Sequence, residues 1–184
     1  MGFIREGTNE VIATTAWNAA PMGIHYRDGE YSLVLFAGSH TSRNVERDPW
    51  IIANFVFDPV IYVQTAFGDL DHDAFTEETV NGRSLCRLTE TEAWIAFSVR
   101  IEKRTPETMK ARLTPEKEVC LNPGLHPVNR GFNSIIEATV HATRFILSHD
   151  PNLKKLINHH AVIVRKCGGT REMEALELLM GYIG

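Results

Sequence analysis

The chain has 184 residues, of which 43% are hydrophobic and 23% are charged, and its formal net charge is −4 at pH 7. These values indicate a globular protein with one compact domain, or a core domain with a helical extension, and exclude a general attraction to nucleic acid or to an anionic membrane. No apolar run approaches the length needed to cross a bilayer and no signal-peptide core is present, so we expect a cytoplasmic protein without a membrane partner.

Four strands are predicted in the first third of the chain, where short apolar runs are bounded by turn residues. These strands cover residues 10–15, 19–25, 31–37 and 51–57. Asp28-Gly29 predicts a hairpin turn before the third strand, because both positions of such a turn require positive φ. Pro21 has no N–H group, so we expect the second strand to lie at an edge or to bulge there. A short helical turn is predicted over residues 42–48.

The middle of the chain is less regular. Residues 60–66 are apolar and fit either a helix or a strand, whereas residues 68–79 are typical of an acidic loop or a short helix. A long strand is predicted over residues 92–101, where apolar and polar residues alternate in the second half. A shorter, charged segment follows at residues 108–118.

The last third of the chain is mostly helical. Apolar residues at three-and-four spacing predict a helix over residues 132–147, and Asp150-Pro151 starts another. Residues 160–167 continue that second helix or form a strand, and a final helix is predicted over residues 172–180. Strands followed by helices indicate an α+β fold. We therefore expect a strand-rich domain over residues 1–118 and a helical domain over residues 119–184 packed on it.

A hydroxyl-rich turn follows the third strand and opens the predicted helical turn. Its sequence is Ser39-His40-Thr41-Ser42-Arg43-Asn44. The N–H groups at a helix start, together with hydroxyls and one cation, favour binding of a phosphate monoester. The alternative is that Ser39 or Thr41 simply caps the helix.

Two stretches of the chain resemble known flavoproteins. Thr14-Thr15, Asn18-Ala19-Ala20-Pro21, the hydroxyl-rich turn and Asn54 together resemble the FMN-binding split-barrel flavoproteins, which include flavin reductases and pyridoxamine-phosphate-oxidase-like proteins. The stretch from Asn129 to Arg144 is similar to a largely archaeal family of split barrels, domain of unknown function 447, which joins the barrel to a helical part. The resemblance covers nearly the whole chain.

The resemblance implies a six-stranded antiparallel split β-barrel of the FMN-binding type with a C-terminal helical part. It also implies a homodimer with FMN at the interface. The implied FMN-binding residues are Thr14, Thr15, Asn18, Ala19, Ala20, Ser39, Thr41, Ser42, Arg43, Asn44 and Asn54. The first five would line the ring and the ribityl chain, and residues 39–44 would hold the phosphate. For Asn54 the alternative is that it satisfies backbone groups near its own strand.

The implied function is that of an FMN-dependent oxidoreductase of the flavin-reductase type. Such an enzyme takes electrons from a reduced nicotinamide and passes them to a small acceptor. Because the cofactor carries the electron chemistry, the lack of an obvious catalytic dyad does not argue against this function. Two alternatives remain: a non-catalytic FMN-binding module, and a helical-domain binder of a pterin-like metabolite without flavin.

Three polar side chains share one face of the first predicted C-terminal helix. Glu137, His141 and Arg144 stand at positions i, i+4 and i+7. They form either an exposed ion-pair strip or a surface that orients an acidic or pterin-like small-molecule substrate. Arg130 precedes this helix and is a further candidate for binding a phosphate at its start.

No metal site is predicted from the sequence. The acidic stretch at residues 69–73 lacks the glycine turn and the distal glutamate of a calcium loop, and one histidine there does not make a zinc site. His159 and His160 are adjacent, so in a helix or a strand they point apart. The three cysteines are scattered, which argues against a disulfide framework and against structural zinc.

Overall fold

The computed structural model describes residues 2–184, which divide into two compact units. The first unit comprises the described residues up to Val56 together with Leu70–Gly124, and the second comprises Phe57–Asp69 and Leu125–Gly184. The division predicted between residues 118 and 119 did not assign the segment Phe57–Asp69 to the helical part. Among the described residues, none of the helices is long and apolar enough to cross a membrane.

Six antiparallel strands of the first unit close into a barrel, in the order β1-β2-β3-β8-β7-β4. The barrel strands are β1 (Gly7–Thr15), β2 (Asn18–Arg27), β3 (Glu30–Phe36), β4 (Trp50–Phe55), β7 (Ala93–Arg104) and β8 (Thr108–Cys120). The barrel is closed by the pairing of β1 with β4, and the pairing of β2 with β3 is limited to three residue pairs. The α+β fold with a six-stranded barrel is therefore confirmed.

The barrel interior is filled by apolar side chains from every barrel strand. Its largest fully buried members include Ile24, Leu33, Leu35, Ile51 and Phe97. Burying one such side chain completely contributes about 1.5–3 kcal/mol. Because alternate residues of β3 point inward, its outward positions remain exposed.

The turn and edge predictions for the first hairpins are confirmed. Asp28 and Gly29 have φ values of 53° and 80°, as the hairpin turn requires. Pro21 pairs with Ile12 of β1, whereas the pairing of β2 with β3 is confined to His25–Arg27. On the β3 side Pro21 therefore has no ladder position at which an N–H would be needed.

One hairpin was not predicted. Residues 68–79, expected as an acidic loop or a short helix, contain a 3₁₀ turn (His72–Ala74) followed by β5 (Phe75–Val80), which pairs with β6 (Arg83–Leu88). The connecting Asn81-Gly82 has φ values of 49° and 76°, which is typical of a two-residue hairpin turn. The four central residues of β5 are polar or charged, so its sequence lacks the alternation of apolar and polar residues that indicates a strand.

Residues 60–66 and 160–167, for which the sequence allowed either a helix or a strand, are helical. The first unit contains α1 (His40–Arg47), and the second contains α2 (Pro59–Phe67), α3 (Arg130–Ser148), α4 (Pro151–Cys167) and α5 (Thr170–Ile183). Residues 60–66 are helical because Asp58 caps the helix and Pro59 occupies its first turn. Residues 160–167 continue α4, since Ala161 and Val164 extend its buried face.

Two polar side chains link the starts of α3 and α5 in the second unit. Asn129 accepts a hydrogen bond from the Gly131 N–H at 2.8 Å and donates one to Glu172 at 3.0 Å. The other carboxylate oxygen of Glu172 accepts from the Gly169 N–H at 2.8 Å. Glu172 is buried, and these bonds satisfy both of its oxygens.

Candidate functional site

A cleft with a volume of about 410 Å³ opens in the first unit. It is lined by the end of β1, the β1–β2 turn, the last part of α1, the start of β4 and the β5–β6 hairpin. This volume lies within the range of small-molecule sites. Three of the residues predicted to bind FMN line it, namely Thr14, Thr15 and Asn44.

Hydrogen bonds that involve these three residues hold the cleft walls together. The Asn44 side-chain amide donates to the carbonyl and the hydroxyl oxygens of Thr15, at 3.0 and 3.2 Å. The Thr14 hydroxyl donates to the carbonyl of Cys86 at 2.6 Å. The end of β1 is therefore tied to α1 on one side and to β6 on the other.

The predicted ring-binding stretch and the predicted phosphate turn meet in the structure. The Asn18 side-chain amide donates to the Thr41 hydroxyl at 3.0 Å, which joins the start of β2 to the first turn of α1. Ala19 is buried and Ala20 is half-buried beside them. The two stretches are therefore close enough to contact one nucleotide.

The hydroxyl-rich turn is the capped start of α1. Ser39 is the N-cap residue, and its hydroxyl accepts from the Ser42 N–H at 3.1 Å. The Ser42 hydroxyl donates back to the Ser39 carbonyl at 2.9 Å, while the Arg43 side chain is exposed. The capping alternative is thus correct for Ser39. It is compatible with anion binding, because a helix start presents N–H donors and positive potential.

Asn54 is fully buried, with 0% exposure, and its amide is used by protein groups. Its nitrogen donates to the Ile12 carbonyl at 2.9 Å and to the Thr14 hydroxyl at 3.1 Å, and its oxygen accepts from the Leu88 N–H at 2.9 Å. This geometry favours the alternative in which Asn54 satisfies neighbouring polar groups. Through its hydrogen bond to the Thr14 hydroxyl, Asn54 holds a residue that lines the cleft, although Asn54 does not line the cleft itself.

The cleft also contains aromatic residues that the sequence analysis did not assign to the site. Trp17, 41% exposed in the β1–β2 turn, packs against His72 with ring centroids 4.4 Å apart and ring planes tilted by 34°, and Trp50 lies at the start of β4. Because β1 and β4 pair through Thr14 and Ile52, the two tryptophans reach one cleft. This pairing is non-local and leaves no signal in a single sequence.

The two carboxylates of the cleft are paired and its thiol is neutral, whereas the exposed Arg47, which also lines it, forms no ion pair with the described residues. Asp48 forms an ion pair with Arg83 at 2.9 Å, and Glu77 accepts from the Ser84 hydroxyl at 2.8 Å. Burial, aided by the charge of Glu77, raises the pKa of the Cys86 thiol. Cys86 is therefore a neutral thiol near pH 7 rather than a thiolate nucleophile.

A second group of polar side chains lies between α3 and α4 of the second unit. Ligand-type atoms of Glu137, His141 and His160 all lie within 4.8 Å of one another. Burial, reinforced by the nearby His141, lowers the pKa of His160, although Glu137 opposes this shift. Arg130 and Arg144 are exposed on α3, and their role in substrate binding stays a prediction.

Glu137 and His141 were predicted to share one helix face, but His160 was not predicted to join them. As a metal ligand, His160 was considered only together with its neighbour His159, and the ring planes of those two residues meet at 80°. The partner of His160 comes from the preceding helix. A pair of ligand-type residues at i and i+4, followed by a histidine on the next helix, is the signal that could have found this group.

Comparison with known proteins gives relatives along the whole chain. An uncharacterized protein of Methanocaldococcus jannaschii is 25% identical over 192 residues, covering 94% of this chain and 96% of the relative. The crystal structure of an FMN-bound DUF447 protein from Methanosarcina mazei is 35% identical and has a TM-score of 0.92, covering 97% of this chain and 96% of that one. A 2-nitrobenzoate 2-nitroreductase of Pseudomonas fluorescens shares the fold, with 12% identity, a TM-score of 0.50 and coverages of 65% and 68%.

Two family models match separate stretches of the chain. The model described as the N-terminal domain of a protein of unknown function, DUF447, matches residues 9–122. The model described as protein of unknown function, DUF447, matches residues 129–181. The first stretch contains the barrel strands, the β5–β6 hairpin, α1 and α2, and the second contains the three C-terminal helices. The chain belongs to the DUF447 family, as the resemblance of its barrel motif and its C-terminal helix implied.

Proposed function

We propose that this protein binds FMN at the cleft of its first unit, with the phosphate at the start of α1. The observation that carries this proposal is the hydrogen bond between Asn18 and Thr41, at 3.0 Å. It joins the stretch suited to the ring with the turn suited to the phosphate. The FMN-bound relative from Methanosarcina mazei, 35% identical over 97% of this chain, supports the same ligand.

The residues at the cleft fit the parts of FMN. The Asn44 amide nitrogen is bonded to Thr15, which leaves the Asn44 amide oxygen and the Thr15 hydroxyl proton for the ribityl hydroxyls and the polar edge of the ring. Trp17 and Trp50 offer aromatic surface for a flat ring. The start of α1, with the exposed Arg43, offers charge-assisted donors for a phosphate.

We further propose that the protein is an oxidoreductase that works as a homodimer. When bound, FMN supplies the redox chemistry needed to accept hydride from a reduced nicotinamide and to reduce a small acceptor. The protein's own residues bind and orient the ring, and the neutral Cys86 thiol leaves the redox step to the cofactor. Trp17 at the cleft and Phe36 on β3 are exposed, which gives the first unit apolar surface for a second copy to cover.

FMN binding is tested by titrating the purified full chain into FMN and following flavin fluorescence and visible absorbance. We expect quenching that saturates at one FMN per chain. Asn18→Ala should weaken binding by about five- to tenfold, the value of one hydrogen bond. Asn133→Ala, on an exposed site of α3, is the control and should bind like wild type. Unchanged FMN fluorescence at high protein concentration would contradict the proposal.

Turnover and assembly are measured separately on the FMN-loaded protein. Steady oxidation of NADH or NADPH in the presence of an artificial acceptor supports the oxidoreductase, and an inert flavin with both nicotinamides contradicts it without affecting FMN binding. Sedimentation equilibrium should give twice the chain mass of 20.7 kDa. A monomer at micromolar concentration would contradict the homodimer.

A further inference from the structure

Three side chains of the helical unit converge across α3 and α4. Glu137 and His141 stand one turn apart on α3, so they share a face of that helix. His160 reaches the same place from α4, and its ring centroid is 5.6 Å from that of His141. Buried residues flank both histidines, namely Ala138 and Ala142 on α3 and Ile157 and Ala161 on α4. Packed helices therefore fix the positions of the two imidazoles.

The two histidines have a polar atom that the rest of the described chain leaves unsatisfied. The Nδ1 atoms of His141 and His160 are both buried, and neither has a hydrogen-bond partner within residues 2–184. Buried polar atoms of folded proteins nearly always have a partner. Two such atoms on neighbouring rings, with a carboxylate within reach, indicate a missing shared ligand.

We propose that Glu137, His141 and His160 bind a divalent transition-metal ion of the Zn²⁺ or Fe²⁺ type. Two imidazole nitrogens and one carboxylate oxygen suit these ions and disfavour Mg²⁺ and Ca²⁺, which prefer oxygen ligands. Three protein ligands leave further coordination positions for water or a small ligand, as in sites that act on substrates. This site lies in the second unit, whereas the proposed FMN site lies in the first.

The distances allow such a site after small side-chain rotations. The candidate ligand atoms lie within 4.8 Å of one another. Ligand atoms on one tetrahedral ion are separated by about 3.3 Å, given metal–ligand bonds of about 2.0–2.1 Å. Glu137 is exposed and free to rotate toward the histidines. An exposed ion-pair strip, the simpler interpretation of Glu137 and His141, does not explain two buried nitrogens without partners.

The experiment is a metal titration of the full chain after removal of bound metal with a chelator. Co²⁺ serves as the spectroscopic probe, Zn²⁺ and Fe²⁺ as competitors, and Mg²⁺ as the negative control. We expect one Co²⁺ per chain, displaced by Zn²⁺ or by anaerobic Fe²⁺ but not by excess Mg²⁺. Zn²⁺ should also raise the midpoint of thermal unfolding.

Variants separate this site from general surface binding. His160→Ala and Glu137→Gln should each lower Co²⁺ affinity by at least about tenfold. Mutating a residue that only hydrogen-bonds to a metal ligand already costs about tenfold or more, and a ligand itself should cost no less. His159→Ala removes the adjacent exposed imidazole of α4 and should bind like wild type. Because Glu137 is exposed, Glu137→Gln should fold normally, which circular dichroism verifies.

Three outcomes would overturn the metal proposal. The first is no saturable Co²⁺ binding by the wild-type chain. The second is binding that survives unchanged in both His160→Ala and Glu137→Gln. The third is an equal loss of binding in His159→Ala, which would indicate adventitious binding to surface histidines. The proposed FMN site is unaffected by any of these results, since FMN titration of the same samples reports on it separately.

Discussion

Asn54 shows how one buried amide can organise the strands behind a site. Its nitrogen and oxygen together bond to groups of β1 and β6, and the residue itself belongs to β4. Its side chain is fully buried, so the groups that it bonds lose a buried partner when it is removed. Truncation leaves the Leu88 N–H and the Ile12 carbonyl without this partner.

We therefore predict that Asn54→Ala lowers the free energy of unfolding by about 2–3 kcal/mol, the cost of leaving buried polar groups unsatisfied. Asn133→Ala removes the same side chain from an exposed helical position and should change it by no more than about 0.5 kcal/mol. Urea denaturation followed by circular dichroism measures both. Equal stabilities of the two variants would show that the Asn54 hydrogen bonds contribute nothing net.

The residues of the site were predictable to the extent that their motif is local. The turn from Ser39 to Asn44 and the pair Thr14-Thr15 could be selected from the sequence, and in the structure Thr14, Thr15 and Asn44 line the cleft, whereas Thr41 contacts Asn18. Trp50 and Cys86 could not be selected, because strands that are distant in sequence carry them to the cleft. Loop closure over such distances leaves no local pattern.

Secondary structure was predictable where the hydrophobic pattern was strong. The helices of the last third were found because their buried faces repeat at regular spacing, and most barrel strands because they are apolar runs bounded by turn residues. The β5–β6 hairpin was missed even though Asn81-Gly82 signals its turn, since Thr76-Glu77-Glu78-Thr79 has no apolar alternation. Only Phe75 and Val80, at the two ends of β5, are buried.

A contact between backbones determines how closely α3 approaches the end of α4. A Cβ atom added at Gly131 would lie 2.5 Å from the Gly168 Cα atom and 2.7 Å from its nitrogen. Both atoms belong to the backbone, so no side chain can rotate out of the way. Gly181 of α5 offers the opposite case, because no atom lies within 4 Å of an added Cβ.

We predict that Gly131→Ala lowers the free energy of unfolding by about 1–3 kcal/mol, the usual cost of overpacking. Gly181→Ala should raise it by about 0.5–1 kcal/mol, because alanine loses less backbone entropy in a helix. Chemical denaturation of the two variants beside wild type gives both values. A Gly131→Ala variant as stable as Gly181→Ala would contradict the close approach of α3 and α4.

At the scale of the whole molecule, the two units carry different chemistry. The first unit contains the cleft proposed for FMN, and the second contains the Glu137–His141–His160 group. The family and the fold could be inferred from the sequence because barrel and helix motifs each resemble one family. The reaction could not, because the family match carries no assigned activity.

The negative net charge of the protein limits how it can attract the phosphate of FMN. At −4, the protein as a whole does not attract an anionic ligand. Attraction to the phosphate must therefore be local, from the start of α1 and the exposed Arg43. The phosphate should then account for a large part of the affinity, and riboflavin, which lacks it, should bind weakly.

The most direct test is a parallel fluorescence titration with FMN and riboflavin. We predict that wild type binds FMN at least about tenfold more tightly, as expected for charge-assisted hydrogen bonds to a phosphate, and that Arg43→Gln reduces this preference. Arg27→Gln is the control, because Arg27 ends β2 whereas Asn18 begins it, and this variant should retain the preference for FMN. Equal affinities for the two flavins, unchanged by Arg43→Gln, would contradict a phosphate site at the start of α1.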